Sequence, residues 1–435
     1  MTIRPLLIGA LWLAALGLPP AGAQTIAYEE APHDYWSAPH RDVGPALDAA
    51  LQGQTFPLPP AGDLAAMRAV LQQLKIPESS QTLVFSKTSA QKDRIAPWNP
   101  RALYFNDECY VGWVPGGLME FALLDPQLGP VFYLLDFHRP DRPAPRLDRP
   151  QSCLDCHGSN MTNRVPGLMI RSVFPDKDGS VFFQAGTALI DHTSPLATRW
   201  GGWFVTGTHG DTVHRGNALA SDRGGAITLD TRSSSNLTDL ERFFPAQNYP
   251  RPGSDIVALM VLEHQIMLTN RLVEASYDLR AALARQQALR RELGDPSSEE
   301  LGSTARLIAE GHAAKILDAL LFREEAEFPP GGIRGDPAFP RDLAAQHPST
   351  SDGQSLAELH LGNRLFRHRC SYLIYSRAWA ALPPPLLSLL YTKLHAILTD
   401  PEPPADFRYL GQAERRSILH ILRLTLPGLP ADWKS

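Results

Sequence analysis

The sequence predicts an α+β fold, a strand-rich region followed by a helical C-terminal region. Three observations carry this. Short apolar and β-branched runs separated by turn signals fill residues 82–231. From Ser254 the apolar period changes to 3.6 residues. The 39 prolines punctuate the chain into short elements and loops.

Taken in order, the N-terminus reads as a secretory leader over 1–23. Arg4 supplies the positive end, Leu6 to Leu18 the short apolar run, and Ala21-Gly22-Ala23 the small residues that a signal peptidase needs. Residues 24–81 form a Pro-rich lead-in with one short helix. Leu64, Met67, Leu71 and Leu74 recur at helical spacing and predict it over Gly62 to Leu74.

Residues 82–250 are the strand-rich region. Strands are expected at Leu83 to Phe85, Ala102 to Phe105, Tyr110 to Val114, Met119 to Leu124, Val131 to Phe137 and Gly202 to Thr206. Asp125 to Pro130 is a turn signal between two of them. Met169 to Phe174 and Val181 to Gln184 flank Asp176-Lys177-Asp178-Gly179 and read as a hairpin. Arg139 to Pro150 reads as a polar loop.

Residues 251–435 form a helical region packed on the strands. Ser254 is the expected N-cap of a helix whose face carries Val257, Val261, His264, Leu268, Leu272, Ala275 and Leu279. Further helices are expected near Thr304 to Phe322, Ser355 to Phe366, Tyr372 to Leu382, Leu386 to Leu398 and Ala413 to Leu424.

Length and charge narrow the function. The chain has 435 residues and a net charge of −5, with no basic face of the kind that nucleic-acid binding requires. After the leader, no apolar run reads as long enough to cross a membrane, so no transmembrane segment is expected in the mature chain. The expected location is periplasmic or secreted.

Of the four cysteines, two stand together. Residues 153–157 read Cys-Leu-Asp-Cys-His, the C-x-x-C-H attachment signature for haem c. The spacing has a chemical reason. Cys153 and Cys156, three apart on one turn, both reach one porphyrin and form thioethers with its vinyl groups. His157 then offers an imidazole nitrogen to the iron as proximal ligand. Export supports the motif, because this haem is attached outside the cytoplasm. A zinc site would need distant histidines to complete four ligands. A thioredoxin-like pair would need a strand-to-helix turn, whereas a polar loop precedes this motif. A single motif means one covalent haem, which excludes multi-haem wires and two-haem peroxidases.

The sixth ligand decides what the iron can do. His209, in Gly207-Thr208-His209-Gly210, is the favoured distal candidate, because glycines let a flat ring come close. His192 follows, with His214, His264, Met161 and Met169 behind, and Cys109 or Cys370 less favoured still. Cys109 and Cys370 could instead pair as a disulfide. Trp200 and Trp203 could wall a haem crevice or simply pack a strand. Arg171 or Arg199 could hold a propionate, since a guanidinium binds carboxylate through two parallel hydrogen bonds.

With these residues assembled, the chain resembles a family of secreted single-haem cytochrome c domain-containing proteins. The likeness is carried by Arg101 to Asp107, Tyr110 to Val114, Cys153 to Gly158, Asp191 to Pro195, Arg199 to Gly210, Val261 to Gln265 and Arg367 to Tyr375. It runs from about Thr82 to the C-terminus. It implies haem binding and electron transfer and names no substrate. The strands around the motif are also loosely similar to PAS-like haem c sensor domains, an analogy of fold alone. The small all-helical cytochrome pattern is not followed, because a long strand-like stretch precedes the motif.

Three functions stand open on the sequence. The first is a periplasmic electron-transfer protein with a redox partner protein. The second is an enzyme whose open haem acts on oxygen, peroxide or a small oxidised substrate, with His209 or His192 as acid–base group. The third is a haem-based sensor that signals through the C-terminal helices.

Overall fold

The computed structural model describes residues 27–59, 62–137, 144–231, 234–294 and 301–434. The expected leader lies outside them, as does part of the expected loop at 139–150.

Short, nearly continuous apolar runs and tight turns build an antiparallel meander. Its strands are β1 (Thr82–Val84), β2 (Arg101–Phe105), β3 (Cys109–Trp113), β4 (Met119–Asp125) and β5 (Gly129–Leu135). The turn between β4 and β5 is fixed by Asp125, whose Oδ1 accepts the amides of Gln127 at 2.7 Å and Leu128 at 2.8 Å. Gly129 ends that turn at φ +71°, in the left-handed region that favours glycine. Strand β6 (Leu147–Asp148) adds to one edge. Past β7 (Arg171–Ser172) and β8 (Ala188–Leu189), strand β9 (Trp203–Phe204) closes the other. The seven-stranded order is β6-β5-β4-β3-β2-β1-β9.

The two faces of this sheet differ. One is buried throughout, with Ala102, Tyr104, Val111, Trp113, Phe121, Leu123, Val131 and Tyr133 in the core. Helix α1 (Gly44–Gln52) lies on that side, and Asp42 just ahead of it accepts the Tyr133 hydroxyl at 3.1 Å. Helix α2 (Asp63–Gln73) confirms the expected lead-in helix. On the other face Leu103, Gly112, Glu120 and Leu134 stand in cross-strand register. Leu103, Glu120, Leu134 and the nearby Arg101 are only partly covered.

Beyond the one-turn helix α3 (Cys153–His157), helix α4 (Ile256–Glu292) crosses this second face. Gln265 donates to the Tyr110 hydroxyl at 2.7 Å, and the Tyr277 hydroxyl donates to the Leu128 carbonyl at 3.0 Å. Helix α5 (Ser303–Leu320) packs along α4. After α6 (Ala338–Ala345) and α7 (Arg377–Ala380), helices α8 (Pro384–Thr399) and α9 (Gln412–Thr425) complete the stack. The buried apolar cluster runs unbroken from Tyr28 to Trp433, so lead-in, sheet and helices share one core.

Several details depart from the sequence reading. Asp255, not Ser254, caps α4, accepting the Ala258 amide at 2.9 Å. Ser254 instead ties β1 to β9, accepting from the Leu83 amide at 2.9 Å and donating to the Phe204 carbonyl at 2.6 Å. No helix forms over 355–366; Leu359 bridges Phe366 in a looped hairpin that Gly362 and Asn363 help to turn. Strand β7 pairs with β8 rather than with 181–184, although Pro175 and Val181 do bridge around the expected turn. The first half of α4 meets the length and composition of a membrane span, contrary to expectation, but 83% of that window is buried inside the fold.

Candidate functional site

Helix α3, just after strand β6, carries the C-x-x-C-H sequence. Cys156 is exposed, Cys153 is half-buried, and both are free thiols. Burial raises the Cys153 thiol to about 11, with the Glu120 carboxylate adding to it. The next segment folds back over His157. Thr162 Oγ1 donates to the His157 carbonyl at 3.1 Å, and the Gly167 amide donates to the same oxygen at 2.8 Å. A side chain at Gly167 would press on Thr162, its Cβ standing 2.9 Å from the Thr162 Cβ. Asn270 of α4 clamps both sides of the Leu168 peptide, accepting from its amide at 2.9 Å and donating to its carbonyl at 2.7 Å.

This fold-back fixes the histidine. His157 Nδ1 lies 2.9 Å from the Gly167 carbonyl, which requires the proton on Nδ1 and leaves the Nε2 lone pair available. The ring leans on Phe132 of β5, centroids 4.5 Å apart. Burial lowers the imidazole pKa, so the ring is neutral and fit to ligate a metal; the Gly167 bond opposes that shift, and Arg101 and Arg171 favour it.

The half-open face of the sheet adjoins this ring. Arg101 forms an ion pair with Glu120 and lies flat across Gly112, where any Cβ would strike the guanidinium. Arg101 Nε and Glu120 Oε1 are buried without a partner. Buried polar atoms of this kind call for a further group at the site. Arg171 donates to the Thr88 carbonyl at 3.2 Å, and its charge couples to Cys156. Trp203 stands behind it, its indole donating to the Arg171 carbonyl at 2.8 Å.

Two free thiols on one turn, a neutral histidine with Nε2 unclaimed, and two arginines beside a partly bare sheet fit a covalently attached haem. Cys153 and Cys156 would hold its vinyl carbons, His157 Nε2 its iron, and Arg101 and Arg171 its carboxylates.

The remaining candidates lie in different company. Arg199 is fully buried and engaged with Glu263 at 2.7 Å, so it is not available to a propionate. The Trp200 indole also donates to Glu263. His192 pairs with His264, Nδ1 to Nδ1 at 3.0 Å, and His264 Nε2 meets Ser371 Oγ at 2.7 Å. His209 pairs with His214, Nε2 to Nε2 at 3.1 Å. Burial lowers His192 to about 4 and His214 to about 3, so these rings are neutral. Met161 and Met169 are half-buried. Cys109 and Cys370 are both buried free thiols, and burial pushes both upward, Cys109 to about 12.

Sequence reasoning missed Arg101, Glu120, Gly167 and Asn270. None of them left a local signal; even Asn270 stands between Thr269 and Arg271 on a helix that carries many polar residues. A cavity of about 350 Å³ opens elsewhere, lined by Gln81, Thr206, Thr208, Arg251, Asp255 and Arg334. None of its lining residues belongs to the motif, and donor chemistry outweighs cavity size in assigning the site. No family model, no curated protein and no solved structure matches this chain.

Proposed function

We propose that this chain is an exported c-type cytochrome, periplasmic or secreted, that carries one covalent haem and passes electrons to a redox partner protein. The observation that carries the reading is the pairing of C-x-x-C-H with a His157 ring held through Nδ1 by the Gly167 carbonyl. When bound, the haem supplies a one-electron ferric–ferrous couple. The chain's own residues do the rest. Gly167 and Asn270 hold the proximal imidazole rigid, as a hydrogen-bonded second shell orients a metal ligand. Phe132 and Leu134 give the site an apolar floor, while Arg101 and Arg171 offset negative charge at its rim.

A second reading, an open haem that acts on oxygen, peroxide or a small oxidised substrate, draws on one observation. His192 and His209, the distal candidates, are engaged with His264 and His214. The loose PAS-like analogy supports a sensor only by likeness of fold.

One spectrum separates these. Electron transfer predicts a reduced protein with sharp low-spin bands that ignores carbon monoxide. Rapid carbon monoxide binding would overturn it in favour of the open haem, and turnover with peroxide would then single out the enzyme.

A further inference from the structure

A second cluster of ligand-type side chains sits where α5 packs on α4. Glu274 and Asp278 are four residues apart on α4 and so share one face. His312 of α5 meets them, with Nε2 2.9 Å from Asp278 Oδ2. One donor atom from each of the three lies within 4.8 Å of the others. His312 and Glu274 are nearly buried, and Asp278 opens the cluster to solvent.

Two cations already face Glu274, Arg271 at 3.3 Å and Lys315 at 3.6 Å. Both are substantially exposed, and exposed pairs of this kind hold weakly.

We propose that Glu274, Asp278 and His312 form a site for a divalent transition-metal ion of the zinc type. One imidazole with two carboxylates suits zinc, whereas calcium and magnesium favour all-oxygen shells. The site uses no residue of the haem motif and stands whether or not the haem reading does. Its ion would pin α5 to α4, one turn along α4 from the Asn270 clamp.

The test is zinc titration by calorimetry on haem-loaded, tag-free protein, with Cys153→Ser/Cys156→Ser protein as a control against zinc on free thiols. One zinc ion per chain is expected in both, with a raised Tm. Asp278→Asn, at an exposed position that leaves the fold alone, should weaken binding about tenfold or more. His312→Gln should do the same, and Arg271→Ala should strengthen binding by relieving Glu274. No stoichiometric zinc, or zinc bound equally by wild type and Asp278→Asn, would overturn the proposal.

Discussion

The motif face and the interior behind it use histidine in opposite ways. At the motif, His157 gives Nδ1 to a backbone carbonyl and leaves Nε2 unclaimed on a half-open sheet. In the interior, His192 and His264, and likewise His209 and His214, turn their ring nitrogens on one another. There the Arg199–Glu263 pair is fully buried, and Trp200 and Phe322 take left-handed backbone at φ +68° and +58°. Bulky residues rarely hold that conformation, which costs about 1–3 kcal/mol each. The motif thus sets an unclaimed ring nitrogen on the same turn as two free thiols, whereas the interior closes its ring nitrogens in pairs around a buried ion pair.

That contrast can be broken or sharpened in order of effect. Cys153→Ser/Cys156→Ser removes both thioether sulfurs, and covalent haem should fall to nothing by denaturing gel stained for haem. Retained covalent haem would erase the distinction between the regions. Glu263→Gln in the interior leaves Arg199 buried without a counter-charge and should cost about 3–5 kcal/mol in denaturant unfolding, with the haem spectrum unchanged. Asn270→Ala frees the Leu168 peptide and should cost about 1–3 kcal/mol. It should also shift the haem midpoint potential, because the loop that orients His157 loosens; an unchanged potential would remove Asn270 from the site.

Acidification probes the interior directly. His192, held near 4 by burial, binds its proton in the unfolded chain near 6.5 and not in the fold. Its stabilisation is therefore complete above about pH 6.5 and is lost as pH falls toward about 4. His33, His214 and His264 act in the same direction. Asp255, Glu263 and Glu325, raised to about 7 by burial, act oppositely over an overlapping range. The histidines outnumber them, so Tm should fall as pH drops from 6.5 to 4; a rising Tm would contradict the neutral pairs. The smallest effect is expected from Glu120→Gln, which removes a negative charge beside the proposed haem site and should raise the midpoint potential, as read by redox titration.

The meander and the long helix were legible because each is written locally. Apolar runs on either side of the Asp125 turn give β4 and β5, and apolar residues at period 3.6 give α4. The C-x-x-C-H sequence is five consecutive residues, so it can be read without tertiary knowledge. What failed depended on distance. Ser254 was a sound cap by type, but Leu83 and Phe204 claim its hydroxyl from far along the chain. Leu356, Ala357, Leu365 and Phe366 mimic a helical face, yet the Gly362-Asn363 turn breaks it. His192 and His264 stand 72 residues apart, so no local pattern could reveal that they meet. Glu120 joins the site through the strand register that sets it opposite Gly112, over which the Arg101 side chain reaches.

The central claim is that the free nitrogen and two thiols of α3 receive a haem. Intact mass of the protein, expressed with its leader in a host that matures c-type cytochromes, tests it most directly. The account predicts a chain heavier by one covalent haem, with the mass retained under denaturing conditions. A colourless protein at the mass of the bare polypeptide would contradict it.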